Sequence, residues 1–273
     1  MIILLKPAEL LYRGVNGVRR ALYRRGVLKA KRLSKPVISV GNIAIGGTGK
    51  TPAVIAICRF LEDRGLRVAV LTRGYRARDT GVVDTLDAAR FGDEPVLIKT
   101  RTKSTTVIVG ANRFEQAQTQ RCDVFVLDDG FQHLQLHRDL DIVIDAPSRF
   151  YREGRSALRD ADVVVPRRLR LAVPESLRGK RVFAFAGLAD NEQFFDSLRR
   201  EGLNLERTRG FSDHHAYTEL DLTQIHHAAR GTDAIVTTEK DAVKFEAPDI
   251  VAIPAEFIFD ADVLQRVLTV AQS

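Results

Sequence analysis

The sequence holds only two cysteines in 273 residues, no apolar run near the roughly 20 residues a spanning helix needs, and no internal repeat or low-complexity tract. Two thiols, Cys58 inside a predicted helix and Cys122 at the start of a predicted strand, cannot form a disulfide framework and suit buried, reduced side chains. The opening run Ile2 to Leu5 is cut short by Lys6 and Pro7, so neither a membrane span nor a signal peptide is expected from it. With 45% hydrophobic and 28% charged residues, disorder is excluded as well. The length suffices for one large α/β domain, or for a medium and a small one.

Away from the N-terminus the chain also lacks a basic surplus. Residues 1–35 carry ten Lys or Arg against Glu9 alone, whereas the rest holds 32 basic and 34 acidic side chains. The formal charge of +7 is therefore local. Within that segment Leu11, Val15, Val18 and Leu22 recur at the spacing of one helical face, with arginines filling much of the remainder. Three readings fit a basic helix of this kind: a nucleic-acid contact, a membrane surface, or a solvated docking helix. No nucleic-acid reading motif accompanies the charge, and an apolar face flanked by arginines suits insertion among the headgroups of an anionic leaflet.

From Pro36 onward, short β-branched runs alternate with helical stretches, the pattern of a parallel sheet covered by helices. Six strands are predicted at 37–40, 68–71, 106–109, 124–127, 142–144 and 163–165, and four more at 182–185, 205–210, 234–237 and 250–253. The expected division is a basic helix over 1–35, a first α/β domain over 36–178 and a smaller α/β unit over 179–273.

The segment Val37 to Pro52, VISVGNIAIGGTGKTP, runs from a strand through a glycine-rich turn into a helix. That is the sequence of a phosphate loop and predicts a P-loop NTPase-like, mostly parallel sheet flanked by helices. Ala44, Ile45, Gly46, Gly47, Thr48, Gly49, Lys50 and Thr51 are the candidate ATP-binding residues. The glycines let successive N–H groups point inward, Lys50 reaches the β and γ phosphates, and the Thr51 hydroxyl serves Mg²⁺. Ala44 stands where the strict motif has glycine. A ligand-free glycine turn is the bland alternative. At Val124 to His133, VFVLDDGFQH, an apolar strand ends in Asp128 and Asp129, where α/β sheets place ligands; these two carboxylates are candidates for Mg²⁺, or else simple turn residues. Asp93 is a candidate proton acceptor or the N-cap of a helix through Pro95 to Lys99, and His214 sits in a polar loop of the second unit. Asp241 and Lys244 are expected to cap and brace a short helix, and His226 and His227 to lie on a helix surface.

GNIAIGGTGKTP, TRGY at Thr72 to Tyr75, GDEP at Gly92 to Pro95, LDDGFQH, FSDHHAY and TEKDAVKF occur in one order. Together they closely resemble the tetraacyldisaccharide 4'-kinase family over nearly the whole chain. The resemblance implies transfer of the ATP γ-phosphoryl group to the 4'-hydroxyl of a tetraacylated glucosamine disaccharide 1-phosphate, at the cytoplasmic face of a bacterial inner membrane. It implies that Asp93 and His214 act together on the acceptor hydroxyl, the aspartate as base. Asp128, Asp129 and Thr51 would serve Mg²⁺. Tyr75, Arg113, Gln132 and His133 fall at positions that line the substrate site. Glu153, in YREGRSALRDAD, matches a glutamate of the family's Leu-Arg-Glu-Pro stretch and is carried over as a metal candidate, although Gly154 replaces the proline and the preceding glycine-rich loop is missing. The expected partners are the lipid-linked disaccharide and an anionic membrane, with no nucleic acid and no obligate protein partner. Two rivals are an ATPase switch of the partitioning or metal-chaperone type, opposed by Ile45 where those carry a lysine, and a kinase of a soluble small molecule, opposed by the basic amphipathic helix.

Overall fold

The computed structural model describes residues 5–44, 46–148 and 150–273, with side chains from Arg13 onward. Ile2, the side chains of Lys6, Pro7 and Leu11, and Ile45 of the phosphate loop lie outside the described residues. In chain order, α1 (Leu5–Arg24) is followed by β1 (Val37–Asn42), α2 (Lys50–Glu62), β2 (Val68–Thr72), β3 (Gly81–Val82), α3 (Ala88–Phe91), α4 (Asp93–Arg101), β4 (Thr106–Val109), α5 (Arg113–Gln118), β5 (Val124–Asp128), β6 (Leu140–Asp145) and β7 (Val163–Pro166). Then come β8 (Leu169–Leu171), β9 (Arg181–Ala186), α6 (Asn191–Arg200), β10 (Asn204–Gly210), α7 (Glu219–Ala228), β11 (Ala234–Thr238), α8 (Glu239–Ala242), β12 (Ile250–Ile253), β13 (Ala255–Phe257) and α9 (Ala261–Ala271).

The first body is a seven-stranded sheet in the order β3-β4-β2-β5-β1-β6-β7, parallel except for β3 at one edge. All six strands expected for it are present. Every residue of the central strand β1 is buried, as a sheet covered on both faces requires. The parallel register sets Val40 of β1 opposite Asp128 of β5, so the carboxyl end of β5 lies beside the start of the phosphate loop. The second unit is a four-stranded parallel sheet in the order β10-β9-β11-β12, with its own apolar clusters.

The chain crosses to the second unit at β8 and returns at β13, and the two crossings pair antiparallel with Leu169 opposite Phe257. The return departs from the sequence-based division. Val263, Val267 and Ala271, spaced four apart on α9, are buried in the core of the first body together with Phe257. The stretch 255–273 therefore completes the first body rather than the second.

Helix α1 docks by its polar side. Asn16 and Arg20 are buried, whereas Val15 and Val18 are 57% and 63% exposed. Of the apolar stripe Val15 and Val18 point outward and Leu22 is half-buried, whereas Arg20 points inward and is no headgroup contact.

Candidate active site

The phosphate loop leaves β1 at Asn42 and enters α2 through Gly49, whose φ of 88° is a left-handed conformation that favours glycine. Gly46 has φ 112°. A Cβ added at Gly46 or Gly47 would meet nothing within 4 Å, so open space faces these two backbone segments. Asn42 Nδ2 donates to Thr48 Oγ1 at 2.6 Å and Thr48 N donates to Gly46 O at 2.9 Å, which fixes the turn. Ala44, in place of the usual glycine, is fully buried and bridges to Tyr151, so its methyl group lies within the fold rather than in the cradle. Lys50 and Thr51 begin α2; Thr51 is buried and Lys50 Nζ lies 3.6 Å from Asp129 Oδ1.

Asp128 ends β5 and accepts a hydrogen bond from Thr72 Oγ1, at the end of β2, at 3.1 Å. Burial and the nearby charges of Glu94 and Asp129 push it up to about 7 against the opposing pull of Lys50 and Arg113. Burial would raise Asp129 too, but Lys50 and Arg152 outweigh it and hold Asp129 below the usual carboxylate range. Arg152 Nη1 donates to Asp129 Oδ2 at 2.6 Å. The donor set suits a divalent cation: Asp128 Oδ1 and Asp129 Oδ1 are both buried without a hydrogen-bond partner, at the end of β5, which pairs with the strand that leads into the phosphate loop carrying Thr51. Among the described residues no group of three or more His, Cys, Asp or Glu could hold a metal alone. Carboxylate and hydroxyl oxygens are hard donors of the kind Mg²⁺ takes beside waters and phosphate oxygens.

Arg113 opens α5 and is 4% exposed, with no hydrogen bond or ion pair among the described residues. Burial lowers its pKa, and the charges of Asp128 and Asp129 act against that effect. A buried guanidinium of this kind is set to receive an anion. His133 is pushed down to about 4 by burial and by Arg113, Arg138 and Arg19, which leaves it a neutral ring. Gln132 Nε2 donates to Asn42 O at 2.7 Å, tying the turn after β5 to the end of β1.

Asp93 does not cap α4. Gly92 occupies the cap with φ 89°, and Asp93 is the first helical residue. Its carboxylate instead meets His214, with Nδ1 2.9 Å from Oδ2 and 3.2 Å from Oδ1. Burial would raise the Asp93 carboxyl, but the His214 hydrogen bond and the charges of Lys240, His214 and Lys244 bring it down to about 2. The His214 loop hangs from the second sheet: His214 N donates to Gly187 O just past β9, and Gly187 N donates to Asp241 Oδ2 in α8 at 2.9 Å. From the first body, the Tyr75 ring packs at a tilt against His214 with centroids 5.1 Å apart and Arg76 Nη1 donates to His214 O. Among the described residues, the non-glycine positions at positive φ are Arg76, Asp129 and His214, all at this site. Such conformations cluster where function over-determines the backbone.

Glu153 is the departure among the candidates. Its two carboxylate oxygens accept from Arg20 Nε at 2.8 Å and Arg20 Nη2 at 3.0 Å, so in this structure the side chain is paired with a buried guanidinium. Arg20 Nη2 also donates to Phe131 O, Arg19 Nη1 to Gln132 O and Asn16 Nδ2 to Arg152 O. The polar side of α1 thus braces the turn that follows Asp129 and the segment that carries Arg152.

Comparisons with known proteins identify the family. A family model described as Tetraacyldisaccharide-1-P 4'-kinase matches residues 1–172 and 156–272. The chain belongs to the tetraacyldisaccharide 4'-kinase family. A tetraacyldisaccharide 4'-kinase of Pelobacter propionicus is 39% identical over 89% of this chain and 83% of its own length. One from Anaeromyxobacter sp. strain K is 38% identical over 97% and 89%. A crystal structure described as the "apo" form of LpxK from Aquifex aeolicus in complex with ATP superposes with a TM-score of 0.83, at 28% identity over 100% of both chains.

Within this kinase the sequence reading missed Lys240, Thr72, Arg152 and the inward role of Arg20. Lys240 lies in the TEKDAVKF motif, read only as a short helix and its brace. That brace exists, with Lys244 Nζ 2.9 Å from Asp241 Oδ1, but the same helix delivers Lys240 to within 3.2 Å of His214 Nε2. The two lysines of one motif, Lys240 and Lys244, were the available signal.

Proposed function

We propose that the protein binds ATP with Mg²⁺ on the loop Ala44 to Thr51 and transfers the γ-phosphoryl group to the 4'-hydroxyl of a tetraacyldisaccharide 1-phosphate, giving lipid IVA. The observation that carries this reading is the Asp93–His214 pair at 2.9 Å, assembled from two units beside a loop whose lysine lies 3.6 Å from a carboxylate. Mg²⁺, held by Thr51, Asp128 and Asp129, would draw charge from the β and γ phosphates. Lys50 and the buried Arg113 are placed to compensate the transferred phosphoryl group.

The acceptor oxygen attacks the γ-phosphorus, the bond to the ADP oxygen breaks, and the hydroxyl proton passes to the pair. We place the accepting atom at His214 Nε2 rather than at the expected Asp93, because the Asp93 carboxylate is already held by His214 Nδ1 at 2.9 Å and lies 3.6 Å from Lys244 Nζ; Asp93 then orients the ring and stabilises the charge it gains. A site completed by residues of both units favours acceptor over water as the nucleophile.

The outward Val15 and Val18, with exposed Val27 and Leu28 after the helix, support docking on an anionic cytoplasmic membrane surface, where the acyl chains of the acceptor lie. No described helix is long and apolar enough to cross a membrane. The test is transfer of labelled γ-phosphate from ATP to purified tetraacyldisaccharide 1-phosphate, with free glucosamine as the soluble competitor. Label on the lipid alone supports the reading, and label on the soluble sugar alone rejects it.

A further inference from the structure

The mechanism above leaves one cation at the reacting pair without a task. Lys240, the second residue of α8, lies with Nζ 3.2 Å from His214 Nε2, 3.9 Å from Asp93 Oδ2, 3.8 Å from Glu94 Oε1 and 3.6 Å from Asp213 Oδ1. Its side chain is 19% exposed. The cation therefore faces both bodies, and its shortest contact is to the imidazole rather than to a carboxylate.

An ammonium has three donors and no acceptor. Its contact with Nε2 is favourable only if that nitrogen carries the lone pair. The other ring nitrogen faces the Asp93 carboxylate, which is acceptor-only when ionised, so the single ring proton belongs on Nδ1.

We propose that Lys240 is a positioning residue for phosphoryl transfer, which holds His214 as the neutral, Nδ1-protonated imidazole with its Nε2 lone pair available. This rests on the reading of Asp93 and His214 as the proton-accepting pair.

The need for such a residue follows from what surrounds the ring. Asp93 approaches Nδ1 from α4, and Asp213 approaches Nε2 to 3.8 Å from the same loop. Two carboxylates on opposite ring nitrogens favour the doubly protonated ring, which has no lone pair and cannot take a proton from a hydroxyl. Glu94, on α4, adds to the negative side. Against these stand Lys240 and Lys244 on α8, but Lys244 Nζ is engaged by Asp241 at 2.9 Å and reaches Asp93 at 3.6 Å, not the ring. Tyr75 and Arg76, from the remaining facing loop, contribute a tilted ring contact and a bond to the His214 carbonyl and add no partner at Nε2. Lys240 is thus the donor that opposes a second ring proton. When the acceptor hydroxyl arrives as the new donor to Nε2, the ammonium has Glu94 and Asp213 within reach to receive it.

The test uses the full chain with ¹⁵N-labelled histidine, of which there are six, with the His214 signals assigned by their loss in His214→Gln. In the wild type at neutral pH, His214 is expected to show a protonated Nδ1 and an unprotonated Nε2. In Lys240→Met the unprotonated signal should disappear as the ring takes a second proton, and turnover at saturating ATP and lipid should fall roughly tenfold or more, with KM for ATP unchanged. Lys240→Arg, which keeps the donors, should restore both. A wild-type ring protonated on Nε2, or a Lys240→Met spectrum identical to wild type, overturns the proposal whatever happens to turnover. Normal turnover of His214→Gln would instead reject the proton-accepting pair, and the ring shifts would still decide what Lys240 does.

Discussion

Arg20 closes a two-pronged pair on Glu153, with Nε and Nη2 at 2.8 and 3.0 Å from its two carboxylate oxygens, and both side chains are almost fully buried. The pair fastens α1 to the segment that supplies Arg152 to Asp129. A buried pair broken on one side leaves an uncompensated charge.

Glu153→Ala is therefore expected to destabilise the protein by about 3 kcal/mol, read from denaturant unfolding, while the Mg²⁺ concentration for half-maximal activity stays unchanged. A shifted Mg²⁺ requirement in a protein of normal stability would restore Glu153 as a metal ligand.

Replacing Val15 and Val18 together with Asp should weaken binding to anionic vesicles and leave stability within about 0.5 kcal/mol, because both side chains already face outward. Vesicle flotation checks it, and wild-type flotation by the double variant would remove α1 as the docking surface.

Lys50→Ala and Asp129→Asn should each abolish or nearly abolish transfer with the fold retained. Only Asp129→Asn should raise the Mg²⁺ requirement, since it removes negative charge from the proposed metal site whereas Lys50→Ala removes positive charge facing phosphate. Equal Mg²⁺ titrations for Asp129→Asn and wild type would take Asp129 out of the metal shell.

Much of this arrangement was legible in the sequence. Nine apolar, β-branched-rich runs located nine of the eleven strands of the two sheets, because a strand covered on both faces must be continuously apolar, whereas the edge strand β10 is polar and largely exposed and the two-residue edge strand β3 was not predicted. The family resemblance implied that Asp93 and His214 act together, and the two meet across 121 residues. Three things were hidden for physical reasons. The destination of α9 depends on which of two apolar surfaces its Val263–Val267–Ala271 face meets, and the helical period is the same for both. The polar docking face of α1 was obscured because Arg20 looks like any other arginine until Glu153, 133 residues away, is seen beside it. Lys240 was obscured because a helix of four residues has no face long enough to reveal a direction in sequence.

Asp93 also predicts a pH effect on stability. Its carboxyl is lowered from an ordinary 3.8 to about 2, so its favourable contacts are fully present above about pH 4 and are lost as pH falls through about 2. Between these values wild type should lose about 2 kcal/mol more than Asp93→Asn, measured by urea unfolding at each pH. Asp123, also held at about 2 by hydrogen bonds from Arg67, titrates in the same window in both proteins and cancels in the comparison. Parallel stability curves for the two proteins would contradict the lowered value.

The most direct test of the account is a double-mutant cycle on Asp93→Asn and His214→Gln, read as turnover with saturating ATP and lipid. General-base assistance is worth about 10² to 10⁴ in rate, so each single variant should lose turnover on that order with nucleotide affinity nearly constant. Because the two side chains act as one unit at 2.9 Å, the double variant should be little worse than the poorer single one. Fully multiplicative losses, or near-normal turnover in either single variant, would contradict the pairing on which the reaction is built.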